Sequence, residues 1–161
     1  MIEIEYRRDI DLPAATVWEE VRHFDRVLEW VPRGAESTIA VRGEGVGAVR
    51  DIHLATQGYV QHRLVAFDDA QRTFSYELTA GKPIGMQEYT VVATVTPIDA
   101  QRCTIRWAGR MTADASLEEI EIGRALQVAL GNMTTGIVAR LKGERPVYVE
   151  QPNEDWQLQR Q

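Results

Sequence analysis

The sequence predicts an α+β fold: a strongly curved antiparallel sheet, closed on its open face by one long C-terminal helix, with an internal cavity between them. Three observations carry that reading. Segments of alternating apolar and polar residues recur along the first two-thirds of the chain, joined by short turns, as in an antiparallel sheet. The run from Leu117 to Leu141 then has helical rather than strand periodicity, over about seven turns. The helix comes last, after the sheet, and a curved sheet cannot be filled by its own side chains alone. The helix can close it and leave space for a small molecule.

The elements follow in order. Ile2, Ile4 and Tyr6 alternate with Glu3, Glu5 and Arg7, which marks a half-buried strand reaching about Asp11. Pro13 suits the first turn of a helix, where its missing N–H costs nothing. Val17, Trp18 and Val21 then recur at helical spacing, and a second short helix is predicted over Phe24 to Trp30, stopped by Val31-Pro32. Ser37 to Arg42 is a strand, Gly43 to Gly47 a flexible turn, and Ala48 to Leu54 the next strand. Tyr59 to Phe67 and Thr73 to Thr79 continue the sheet, followed by a loop from Ala80 to Met86 punctuated by Gly81, Pro83 and Gly85. Gln87 to Thr96 alternates most cleanly, and Cys103 to Thr112 repeats the pattern after the turn at Pro97 to Ala100. Ser116 and Glu119 have capping-box spacing at the start of the long helix. Ile122, Leu126, Ala129, Met133 and Ile137 form its apolar stripe, Gly131 and Gly136 permit close approach, and Gly143 is its stop. Residues 1–143 read as one domain and residues 144–161 as a polar, mobile or loosely docked C-terminal tail.

Composition narrows the function. At 161 residues with 44% apolar content the chain can bury a real core. A net charge of −6 argues against a general affinity for nucleic acid or an anionic membrane. No apolar stretch is long enough for stable membrane insertion. The N-terminus lacks the basic and apolar regions of a signal peptide, and Cys103 is the sole cysteine, so the expected location is cytoplasmic. His23, His53 and His62 lack metal-ligand spacing, and the glycines at 43 to 47 precede a strand rather than a phosphate-binding helix. Neither a metal nor another cofactor is expected. A homodimer is an open oligomeric state.

Several motifs in fixed order resemble one family. They are Val17-Trp18, Val21-Arg22, Phe24-Asp25 and Trp30, then Gly45 and Gly47-Ala48-Val49-Arg50, then Arg63-Leu64, Asp68-Asp69, Tyr76 and Tyr89. Together they resemble the polyketide cyclase/dehydrase branch of the START-like (SRPBCC) superfamily, over nearly all of residues 1–143. The resemblance implies a helix-grip fold: seven antiparallel strands wrapped around the C-terminal helix, two short helices after the first strand, and a hydrophobic cavity. It does not imply one activity, because the fold hosts carriers, receptors and enzymes. An abscisic-acid receptor is rejected: Val31 follows Trp30 where those receptors carry a lysine, and His62 stands where they carry a carboxylate.

The candidate catalytic residues are His62, Tyr76 and Arg50. His62 has the parity of Val60 and Leu64, and its family-equivalent position faces the cavity; it reads as a general base or as a core histidine held by one hydrogen bond. Tyr76 and Tyr89 either stabilise an enolate oxygen or pack as cavity wall. Arg50 shares the parity of Ile52 and Leu54; it either holds a ligand carboxylate or is a partnered structural arginine. Ligand-binding wall positions are Trp30, Leu54, Tyr89, Val91, Trp107, Leu126 and Met133, several of which could equally be core. Asn132 reads more readily as a solvent-facing amide than as a sheet-facing one. The expected partner is a hydrophobic or aromatic small molecule. It is handled either by cofactor-free aldol cyclisation or dehydration, or by a non-catalytic carrier or sensor. A further reading is an interaction module using the loops at Ala55 to Tyr59 and Gly81 to Met86.

Overall fold

A computed structural model describes residues 1–113 and 118–150, together with the backbone of 158–160. The strands are β1 (Ile2–Ile10), β2 (Thr38–Arg42), β3 (Val49–Leu54), β4 (Gly58–Asp68), β5 (Thr73–Gly81), β6 (Met86–Pro97) and β7 (Cys103–Ala113). The helices are α1 (Ala14–Val21) and the long α2 (Glu119–Lys142). The sheet is antiparallel in the order β2-β3-β4-β5-β6-β7-β1, so all seven expected strands are present.

Strand parity explains the core. Ile2, Ile4, Tyr6 and Ile10 of β1, Tyr89, Val91, Ala93 and Val95 of β6, and Cys103, Ile105, Trp107 and Met111 of β7 all turn to one face and are buried there. Curvature comes from register shifts in the β4–β5 and β6–β7 ladders. In β4 the pairing passes from Leu64↔Tyr76 to Ala66↔Ser75, which leaves Val65 as an extra residue. That step reverses parity. Leu64 and Phe67 can then both join the core, and the Phe67 ring meets Trp18 of α1 at 5.6 Å.

α2 fills the concave face. Gly143 ends it in the left-handed conformation, φ +67°, and the Glu144 N–H reaches back to the Ala139 carbonyl. Ser116 lies outside the described residues; Glu118 occupies the N-cap, and Glu119 pairs with the N-terminal ammonium at 3.1 Å. α2 is buried on more than the expected stripe. Gln127, Asn132 and Thr134 are buried beside Leu126, Met133 and Ile137, because the sheet, α1 and the tail surround the helix.

The second expected short helix is present as a 3-10 helix at Val27–Glu29, shorter than the expected span of Phe24 to Trp30, and another follows at Gly34–Glu36. Two expectations need correction. Asn132 is not solvent-facing. Its amide clips the tail by accepting from Val149 N–H and donating to Val149 O, both at 2.9 Å. The tail is also more than an appendage. Tyr148 donates to the Trp30 carbonyl at 3.1 Å, and β8 (Leu158–Arg160) pairs antiparallel with β1, adding an eighth strand. No helix among the described residues is long and apolar enough to cross a membrane.

Candidate ligand-binding site

Four neighbouring strands each send one polar side chain to the same inner face. Arg50 comes from β3, His62 from β4, Tyr76 from β5 and Tyr89 from β6. Arg50 and His62 are directly opposite in the β3–β4 ladder. The Arg50 Nε–H donates to His62 Nδ1 at 3.2 Å. The His62 and Tyr76 rings lie 4.7 Å apart, and those of Tyr76 and Tyr89 meet edge-on at 6.2 Å. Sequence parity therefore brings the three candidate catalytic residues and Tyr89 into one cluster.

Arg50 is 3% exposed. Its guanidinium carbon lies 4.2 Å from the Phe24 ring centre and 4.6 Å from that of Tyr76, within cation–π range of both. Nη1 donates to the Phe24 carbonyl at 2.8 Å. Among the described residues no carboxylate lies within ion-pairing distance of it. A buried charge without a counter-charge is costly. Burial accordingly lowers the Arg50 pKa from its ordinary value.

The neighbours are tuned to match. Burial first, then the Arg50 charge, hold the His62 pKa well below its usual value, so the ring is neutral at pH 7. With Nδ1 accepting from Arg50, the neutral ring carries its proton on Nε2. The nitrogen that would serve as a base is thus engaged. Burial raises Tyr76, and burial followed by the Tyr76 interaction raises Tyr89 further, so both keep their hydroxyl protons. The buried Tyr89 hydroxyl has no hydrogen-bond partner among the described residues.

A pocket borders this cluster, walled by Phe24, Trp30, Arg50, Tyr76, Trp107 and Met133 among others. Its free volume is about 10 Å³, close to the least that admits one water. In this pocket aromatic rings and Met133 take up the interior. The other polar wall residues are Arg22 and His23, so the lining carries basic groups and no acid. Leu54, Val91, Tyr89 and Leu126 belong to the apolar layer around the pocket rather than to its wall.

The indoles offer the pocket only their apolar surface. Trp107 N–H donates to Thr134 Oγ1 at 3.1 Å, and that hydroxyl donates to the Leu130 carbonyl. Trp30 N–H donates to Glu20 Oε1 at 3.0 Å. Glu20 also receives Arg140 Nε at 2.7 Å and Arg26 Nη1 at 3.3 Å. Cys103 is buried on β7, and burial pushes its thiol up to about 11, so it supplies no reactive thiolate. Phe24 was not a candidate from the residues themselves. It stood in the family pattern, but nothing in local periodicity placed it on Arg50.

A curved antiparallel sheet gripping a C-terminal helix, with a polar cluster at the inner face, defines a helix-grip protein. The family model for polyketide cyclase/dehydrase and lipid transport matches residues 1–143, and the chain belongs to that family. Solved structures share the fold. XoxI from Bacillus cereus is 17% identical, with a TM-score of 0.74 over 88% of this chain and 96% of that one. An uncharacterised protein from Bacillus thuringiensis is also 17% identical, with a TM-score of 0.73 over 87% and 98%. Norcoclaurine synthase from Thalictrum flavum, solved with dopamine and hydroxybenzaldehyde, is 14% identical, with a TM-score of 0.69 over 90% and 88%. No curated protein matches the sequence.

Proposed function

We propose that this protein binds a hydrophobic small molecule between α2 and the sheet and holds one of its oxygens at Arg50 and Tyr76, with Tyr89 behind Tyr76. The observation that carries the reading is Arg50, a charge 3% exposed on the pocket wall with no carboxylate partner among the described residues. A purely structural arginine in such a place would be expected to carry a counter-charge. Behind Tyr76, the buried Tyr89 hydroxyl has only the Tyr76 hydroxyl as a polar neighbour among the described residues and meets it without well-formed hydrogen-bond geometry. The fold's capacity for aromatic guests in norcoclaurine synthase is consistent with this use. Native mass spectrometry of the freshly purified protein, followed by denaturing extraction, tests it. An apolar compound bearing a carbonyl, hydroxyl or acid group is expected. A protein that carries nothing, and gains no thermal stability from a broad apolar panel, overturns the reading.

The family description covers both cyclase/dehydrase activity and lipid transport, and the same site has a catalytic and a carrier version. In a cyclisation or dehydration, His62 Nδ1 would take a proton from carbon next to a carbonyl, while Arg50 and Tyr76 held the resulting enolate oxygen. That requires the Arg50 Nε–H to leave His62 for the substrate oxygen, freeing Nδ1. A carrier would use the same contacts without that exchange. Replacing His62 by Ala separates the two versions: lost turnover with retained binding supports the enzyme, and retained binding with no turnover in either protein supports the carrier.

A further inference from the structure

Among the partners of Arg50, Phe24 contributes twice. Phe24 places a flat apolar ring against the guanidinium and a carbonyl oxygen on Nη1. These are the two things an aromatic acid would supply, with a neutral oxygen in place of a charged one. A carbonyl dipole compensates a buried guanidinium less well than a carboxylate does. Nε–H and Nη1 donate to His62 and to the Phe24 carbonyl, and the Tyr76 hydroxyl is a further neutral partner, so of the guanidinium N–H donors some remain for a two-oxygen ligand and none meets an anion among the described residues. Phe24 lies in the irregular stretch between α1 and the Val27–Glu29 turn, where no helix or strand ladder fixes its backbone. The polar groups beside it on the wall, Arg22 and His23, carry no acid into the lining and pair with Glu19 and Asp69.

We infer that Phe24 sits in the ligand's own place, and that the ligand is an aromatic carboxylate which displaces it. The carboxylate takes the Nη edge of Arg50 in a bidentate pair, and the ligand ring replaces the Phe24 ring on the guanidinium face. The Arg50–His62 bond stays in place and fixes the orientation of the fork. Departure of the Phe24 ring supplies the room that the pocket lacks while the ring is in place. This inference rests on the proposal that the pocket binds a small molecule.

The test uses 2-naphthoate, with its methyl ester and amide as neutral controls, titrated into the wild type, Phe24→Ala and Phe24→Ala/Arg50→Met by calorimetry. Naphthoate is expected to bind Phe24→Ala at least tenfold more tightly than the wild type. The two controls should gain less than threefold, and the Arg50 change should abolish the naphthoate gain. If ester and acid gain equally, the anion assignment is wrong while the binding reading stands. Should no compound bind any of the three proteins, the binding reading falls and the inference with it. If Phe24→Ala does not fold, wild-type NMR decides. Naphthoate, but not the amide, should shift the Phe24 backbone N–H and the Arg50 Nε–H; an absence of shift overturns the inference.

Discussion

Two buried charges sit on opposite sides of Trp30's neighbourhood, and they are treated in opposite ways. Glu20 is 7% exposed and is surrounded by Arg140, Arg26 and the Trp30 indole N–H. Arg50 is 3% exposed and meets two ring faces, a neutral imidazole and one backbone carbonyl. The Glu20 cluster ties α1, the Val27–Glu29 segment and α2 together, because its members come from all three regions. Arg50 ties β3 to β4 and to one loop through neutral partners only. A compensated charge is a structural joint, whereas one without a carboxylate among the described residues, at a pocket wall, is what the proposed ligand would engage.

The sharpest way to break that contrast is to remove each charge. Replacing Glu20 by Leu leaves the Trp30 indole N–H without its acceptor and leaves Arg26 and Arg140 to share Glu29 alone. Both arginines are partly exposed and can turn to water, so the cost falls at the low end for a broken buried pair, about 3 kcal/mol. Replacing Arg50 by Met removes a buried charge that has no counter-charge, and stability should change by less than about 1 kcal/mol in either direction. Urea unfolding of the two variants measures the difference. Equal losses would mean that Arg50 is as structural as Glu20.

A second change probes the residue the two regions share. Trp30 gives its N–H to Glu20 and its ring to the pocket, while its carbonyl accepts from Tyr148. A Cβ on Gly136 would lie 1.8 Å from that carbonyl oxygen. Alanine is the better helix former by about 1 kcal/mol, but the overlap forces α2 and Trp30 apart. A net loss of about 2 kcal/mol for Gly136→Ala is expected in thermal or urea unfolding. An unchanged or raised stability would show that α2 does not press on Trp30.

The fold was readable because alternation and helical spacing are local signals. β6 was expected at Gln87 to Thr96 and spans Met86–Pro97; α2 was expected from Leu117 to Leu141 and spans Glu119–Lys142. The stretch from Phe24 to Trp30 is helical only at Val27–Glu29, because long-range contacts set the conformation of the rest. Phe24 turns to Arg50, Val27 is buried in the core and Trp30 reaches Glu20. Parity alone gathered Arg50, His62 and Tyr76. It could not show that Arg50 meets no carboxylate among the described residues, since that depends on every element packed around it. Glu20 was equally hidden: a charged residue on a short helix reads as solvated until Arg140 arrives from far along the chain. The size of the cavity was also beyond reach, because ring packing rather than residue type decides it.

The smallest expected effect isolates His62, and its sign follows from the Arg50 environment. Burial, and then the neighbouring Arg50 charge, lower the folded-state pKa well below 6.5, the ordinary value expected in the unfolded chain. Between those two values the unfolded chain binds more protons, so stability rises with pH. The contribution is fully present above pH 6.5 and is lost as pH falls from there toward the folded pKa. Thermal melts of the wild type and His62→Gln from pH 8 to pH 5 should therefore diverge below 6.5, the wild type losing more, while carboxylate titrations affect both alike. Parallel curves would mean that His62 is not held neutral against Arg50. A carboxylate ligand adds a finer test: an anion on Arg50 offsets its charge, weakens its repulsion of protonated His62 and narrows the gap between the two curves. A saturating neutral ligand should leave that electrostatic part of the gap in place.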